Sequence, residues 1–165
     1  MINFFKNKLR PVQTKFSFGA TSAIITNLGL IIGLRTGQYA KLSIIGGIII
    51  IALTDNIADS AGIHIYQEAE CLKTKEVWLS TLTNFLTRIL VSLTFVLLVA
   101  FLPIKAAVIC ALFWGLLLLS YLSYTVAINR KVNPYLAVFE HIVIAVLVIA
   151  VSNLLGAFVI SKFKL

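Results

Sequence analysis

Residues 42–65 read LSIIGGIIIIALTDNIADSAGIHI, an apolar run long enough to cross a bilayer that nevertheless carries Asp55 and Asp59. A helix needs about 20 mostly apolar residues to span ~30 Å of hydrocarbon. Four further runs of this kind lie at 17–34, 79–103, 105–128 and 136–160. The expected fold class is therefore all-α: one polytopic membrane domain over 1–165, with five transmembrane helices and a basic arm at 1–16. Pro11 and Pro134 fall in polar flanks and Pro103 ends the third run, so no proline interrupts a span. Tyr39, Tyr66, Trp78 and Tyr135 stand near the ends of the runs, where amphipathic rings favour the headgroup level.

Composition agrees. Of 165 residues, 60% are hydrophobic and only 12% charged, whereas soluble domains carry about 45–50% apolar and about 25% charged residues. Mean hydropathy is +1.02. These values exclude a soluble globular enzyme, a disordered tail and a nucleic-acid-binding module, despite a net charge of +8. The basic residues instead orient the spans. Lys6, Lys8, Arg10, Lys15, Lys73, Lys75, Arg130 and Lys131 flank one side, against Arg35, Lys41, Lys105, Lys162 and Lys164 on the other. The positive-inside rule puts the N-terminus in the cytoplasm and the C-terminus outside. The first run has the length of a span and no small-residue cleavage site, so it is read as a helix rather than a signal peptide. The basic arm suits anionic headgroups, making membrane lipid a partner. A prokaryotic plasma membrane is the expected location, since targeting and glycosylation features are lacking.

The six acids are scarce, and their placement is the informative feature. At 100° per residue, Asp55 and Asp59 lie about 40° apart on one helix face, with Asn56, Ser60, Gln67 and Glu70 within about 140° of Asp55. Charges at membrane depth are costly and face a bundle interior, a water-filled cavity or a partner. Asp59 lies roughly 9 Å from the cytoplasmic end of its span. Thr21 and Ser22 in the first span, Arg88 in the third, and Glu140 and His141 in the fifth are expected at a similar depth. Carboxylate, imidazole, amide and hydroxyl groups at one level suit a divalent cation or a proton relay. Two neighbouring carboxylates resist double ionisation, so protons compete with the cation. His64 and Glu68, spaced i,i+4, continue with Glu70 and Cys71 toward the cytoplasm as a possible mouth. Cys71 and Cys110 fall at different depths and are not expected to pair.

Gly19, Ser22, Thr26, Gly29 and Gly33 share one face of the first span. They are expected to seat the second span or a second subunit, and Gly46 and Gly47 to do the same near the outer end of the second. The fourth span is nearly free of ionisable groups and is expected to face lipid. No P-loop, nucleophile elbow, H-E-x-x-H motif or zinc-spaced cysteine pair occurs, so an enzyme is not expected and no cofactor is implied.

Three short stretches carry a resemblance: Gly19-Ala20-Thr21-Ser22-Ala23; Ala58-Asp59-Ser60-Ala61-Gly62 followed by Gln67-Glu68-Ala69-Glu70; and Ser152-Asn153-Leu154-Leu155-Gly156. In order and position they resemble the G-x-x-D-G-type first-span motif, the A-x-S-M-x-x-G-type second-span motif and the fifth-span pattern of the vacuolar iron transporter family. That resemblance implies a homodimer passing Fe(II) or Mn(II) between paired first and second spans, out of the cytoplasm against protons. Ser22 stands where the family has an aspartate and Asp59 where it has a methionine. The family's long cytoplasmic metal-binding helices are absent between the second and third spans. Exchange of a thioether for an oxygen ligand favours harder ions such as Mn(II). The ligand set expected is Asp55, Asp59, Asn56, Ser60 and Ser22, with His64, Glu68 and Glu70 at the mouth and Glu140 and His141 behind. The alternative is a non-transporting membrane interaction protein whose buried acids pair with Arg88.

Overall fold

The computed structural model describes residues 2–163, with side chains from Phe18 onward; the side chains of the basic arm and Lys164 lie outside the described residues. Five helices follow one another: α1 (Ile2–Leu34), α2 (Ala40–Ala69), α3 (Thr74–Phe101), α4 (Ile104–Arg130) and α5 (Pro134–Phe163). No strand occurs among the described residues. Helices α2 to α5 are long and apolar enough to cross a membrane. Phe18–Leu34, the part of α1 whose side chains are described, is apolar as well.

The turns explain why successive helices reverse. At the end of α2, Cys71 takes a left-handed conformation (φ 56°). Its N–H donates to the Glu68 carbonyl and that of Leu72 to the Gln67 carbonyl, which satisfies carbonyls the helix leaves open. Lys131 (φ 58°) closes α4 in the same way, with Val132 N–H donating to the Ala127 carbonyl. Asn133 then caps α5, its Oδ1 accepting from the backbone N–H of Tyr135 at 3.0 Å, with Pro134 at the first helical position.

Helix α1 packs against all four others, α2 against α3, α3 against α4, and α4 against α5. The apolar core runs through Ile24, Leu28 and Ile31 of α1, Ile44 and Ile48 of α2, Phe95 and Val99 of α3, and Ala107, Ala111 and Leu119 of α4. Without a hydrophobic driving force between helices in lipid, close approach depends on small residues. Two expectations change here. The α1 stripe seats α5 and α3 rather than α2: Gly29 faces Ser152 and Val148, Gly33 meets Gly156, and Gly19 meets Asn84. Contact with α2 runs instead through Gly47, which receives Leu30, while Gly46 faces open space. Helix α4 is the most buried of the four long apolar helices and α5 the least. The reason is that Ala107, Ala111, Gly115 and Leu119 form a four-residue stripe, and Leu28 sits directly over Gly115. Small residues, not lack of charge, decide which helix goes inside.

A methyl on Gly156 would run into the Gly33 carbonyl. Gly156→Val should therefore lower stability by about 1–3 kcal/mol through overpacking, read as the thermal unfolding midpoint in detergent. Gly46→Ala serves as the control and should leave that midpoint unchanged or raised. Equal behaviour of the two would contradict this α1–α5 contact.

Candidate functional site

The α2–α3 seam is polar along a regular repeat. On α2, Asn56 and Ser60 are buried one turn apart, with His64 and Gln67 half-buried beyond them. On α3, Ser80, Asn84, Arg88 and Ser92 recur every fourth residue, and all four are buried. Four-residue spacing keeps each set on one helix face, and the two faces meet. Gln67 Nε2 donates to Ser80 Oγ at 2.7 Å. Asn84 Nδ2 donates to Ser60 Oγ at 3.1 Å, and Ser60 Oγ to Asn56 Oδ1 at 3.4 Å. Asn56 Nδ2 donates to the Phe85 carbonyl at 2.8 Å. Farther along, Asn27 of α1 donates to Ser92 Oγ at 3.0 Å.

Arg88 is the centre of this seam. Its Nη2 pairs with Asp55 Oδ2 at 2.5 Å and its Nη1 with Asp59 Oδ2. The planar guanidinium fork suits two carboxylates one helical turn apart. The Arg88 side chain is 3% exposed, whereas Asp55 and Asp59 are 47% and 36% exposed. The cation is thus enclosed and the two acids are open on the outer side. Two carboxylates against one guanidinium leave one negative charge in excess.

Gly19 lets α1 close over this pair. A methyl there would lie 2.7 Å from Asn84 Oδ1, 2.9 Å from the Asn84 carbonyl and 3.3 Å from Arg88 Cγ. Buried polar atoms are normally hydrogen-bonded, yet Asn84 Oδ1 and Gln67 Oε1 accept from no protein donor. At the seam's end, His64 Nδ1 lies 3.0 Å from Thr81 Oγ1, whose hydroxyl donates to the Val77 carbonyl, so the imidazole N–H is the donor. His64 Nε2 lies 3.3 Å from Glu68 Oε1, and the ring packs edge-on against Trp78.

The ten expected ligands are not gathered in one place. Asp55 and Asp59 share Arg88, and His64 meets Glu68. Asn56 and Ser60 are turned toward α3 and spend their oxygens on the seam. Ser22 is half-buried on α1, and Glu70 is exposed at the end of α2. Glu140 and His141 line a separate pocket of about 300 Å³ formed by α4, α5 and the turn between them. There the His141 Nδ1 approaches the Ala137 carbonyl at 2.7 Å. They lie apart from Asp59 because α5 packs on α1 and α4. Among the described residues no group of three or more His, Cys, Asp or Glu side chains is arranged to hold a metal ion. Cys71 and Cys110 are both free and exposed.

No family profile, curated protein or solved structure matches this chain. The site must be read from its own chemistry. The three stretches behind the family resemblance have visible structural duties. Gly19 seats α1 on α3, Asp59 holds Arg88, and Ser152 and Gly156 seat α5 on α1. Asn153 Oδ1 in that last stretch accepts from Arg35 Nη2 at 2.8 Å. The sequence reading overlooked Ser80, Asn84 and Ser92, although their repeat with Arg88 is the signal that identifies the seam.

Gly19→Ala should force α1 off Asn84 and Arg88 and lower stability by about 1–3 kcal/mol. Thermal unfolding in detergent measures this. A midpoint equal to that of the unmodified protein would contradict the close approach.

Proposed function

We propose that this chain is a membrane transporter of a divalent transition-metal cation, Fe(II) or Mn(II), exporting it from the cytoplasm in exchange for protons as a homodimer. The observation that carries the reading is the excess acid: Asp55 and Asp59 are half-open on a membrane-length helix and outnumber their single cationic partner. Carboxylates at such depth are too costly to leave against lipid. A second copy or a hydrated path would cover them. Two copies bring two excess negative charges, the complement of one divalent ion. In this reading α1 is the fifth span, the basic flanks hold the N-terminus in the cytoplasm, and His64 with Glu68 and Glu70 forms the mouth. The resemblance of three short stretches, in their order, to motifs of the vacuolar iron transporter family points to the same assignment.

Manganese uptake into proteoliposomes tests it. Asp55→Asn and Asp59→Asn should each reduce flux at least about tenfold, as expected when a charged ligand is neutralised in a low-dielectric site. Undiminished flux in both, with fold and oligomeric state preserved, would overturn the proposal.

The enclosure of Arg88 between the two acids favours a second reading, a non-transporting membrane interaction protein stabilised by this ion-pair cluster. Removing one partner of a buried pair costs about 3–5 kcal/mol. Asp59→Asn and Arg88→Gln should then each destabilise, and the double variant should recover much of the loss. That recovery together with absence of cation flux in the unmodified protein would select the second reading. Cation flux that depends on Asp55 and Asp59 would reject it.

A further inference from the structure

We infer that Arg88 is a specificity-determining residue, a resident cation that a divalent ion displaces from Asp55 and Asp59 and that monovalent ions do not. The inference rests on reading those two acids as the cation site. Any ion binding there must compete with a guanidinium already seated on both carboxylates. A monovalent ion offers each carboxylate the same single charge as the guanidinium, without its fixed pair of hydrogen bonds and without its tether to α3. It gains nothing by the exchange. A divalent ion doubles the attraction to each carboxylate, because Coulomb energy scales with the product of the charges. Competition by a built-in cation therefore separates the two classes before any ligand geometry is considered.

The displaced guanidinium has a second station. Asn84 stands one turn before Arg88 on α3, is 1% exposed, and presents an Oδ1 that accepts from no protein donor. Asn84 Oδ1 and Arg88 Cγ both face Gly19 of α1. The acceptor thus lies beside the arginine stem. Moving there keeps the guanidinium hydrogen-bonded and removes it from the carboxylates. A neutral acceptor holds it more weakly than two acids do, so it returns when the ion leaves.

Calorimetric titration of the purified protein with Mn²⁺, in sodium chloride and in choline chloride of equal ionic strength, tests this. The unmodified protein should bind Mn²⁺ with the same affinity in both salts. Arg88→Gln frees both carboxylates and should bind Mn²⁺ about tenfold or more tightly in choline, with sodium now competing. Arg88→Lys keeps a buried cation, and hence the fold, but loses the fork that grips both acids. Its affinity should lie between the two. If Arg88→Gln, or Arg88→Lys where the first does not fold, leaves Mn²⁺ affinity and sodium insensitivity unchanged, the role of Arg88 is overturned while the cation site stands. If the unmodified protein binds no Mn²⁺, the cation site and this inference fail together.

Discussion

One guanidinium held between two carboxylates of a membrane-length helix constrains everything around it. Arg88 is enclosed on α3, so its charge must be met locally, and Asp55 and Asp59 of α2 meet it. In a low-dielectric setting such a pair is retained only if geometry and hydrogen bonding are good. That requirement fixes the register of α2 on α3. It also explains why the flanking seam is amide and hydroxyl rather than aliphatic. Asn56, Ser60 and Asn84 hydrogen-bond across the interface and hold the two helices where the ion pairs need them.

The remaining helices hold that register from behind. Gly19 lets α1 approach Asn84 and Arg88 closely, and the Asn27–Ser92 hydrogen bond pins the next turns of the same two helices. Gly29 and Gly33 carry α5, and Gly115 admits Leu28 so that α4 closes the far side. Trp114 Nε1 donates to Thr94 Oγ1 at 3.0 Å and ties α4 to α3. Between α2 and α5, α1 floors an apolar groove of about 820 Å³. Close packing is thus concentrated on α1, while the acids of α2 stay at the edge of the bundle.

Much of the helical layout was legible in the sequence. Apolar runs, prolines and turn residues place α2 to α5 within a few residues, although α1 begins at Ile2 and so takes in the stretch expected as a separate basic arm. The wheel angle between Asp55 and Asp59 puts them on one face. Four membrane-length helices, α2 to α5, are borne out. Which faces pair was less legible. The α1 glycines were expected to seat α2 or a second subunit, but within the chain shape complementarity gave them to α5 and α3. Helix α4 was assigned to lipid for want of charge, although its Ala–Gly stripe suits burial. Depth alone grouped Glu140 and His141 with Asp59, and depth says nothing of azimuth around a bundle. The seam itself was present as Ser80, Asn84, Arg88 and Ser92, a repeat that becomes meaningful once α2's own polar face is set against it.

In the proposed exchange a guanidinium occupies the carboxylates until a divalent ion replaces it. Anomalous diffraction from crystals soaked in Mn²⁺ tests this directly. The predicted result is a manganese peak at the Asp55 and Asp59 carboxylates, with the Arg88 guanidinium turned toward Asn84 Oδ1. A structure in which Arg88 still joins both carboxylates and manganese binds elsewhere or nowhere would contradict it.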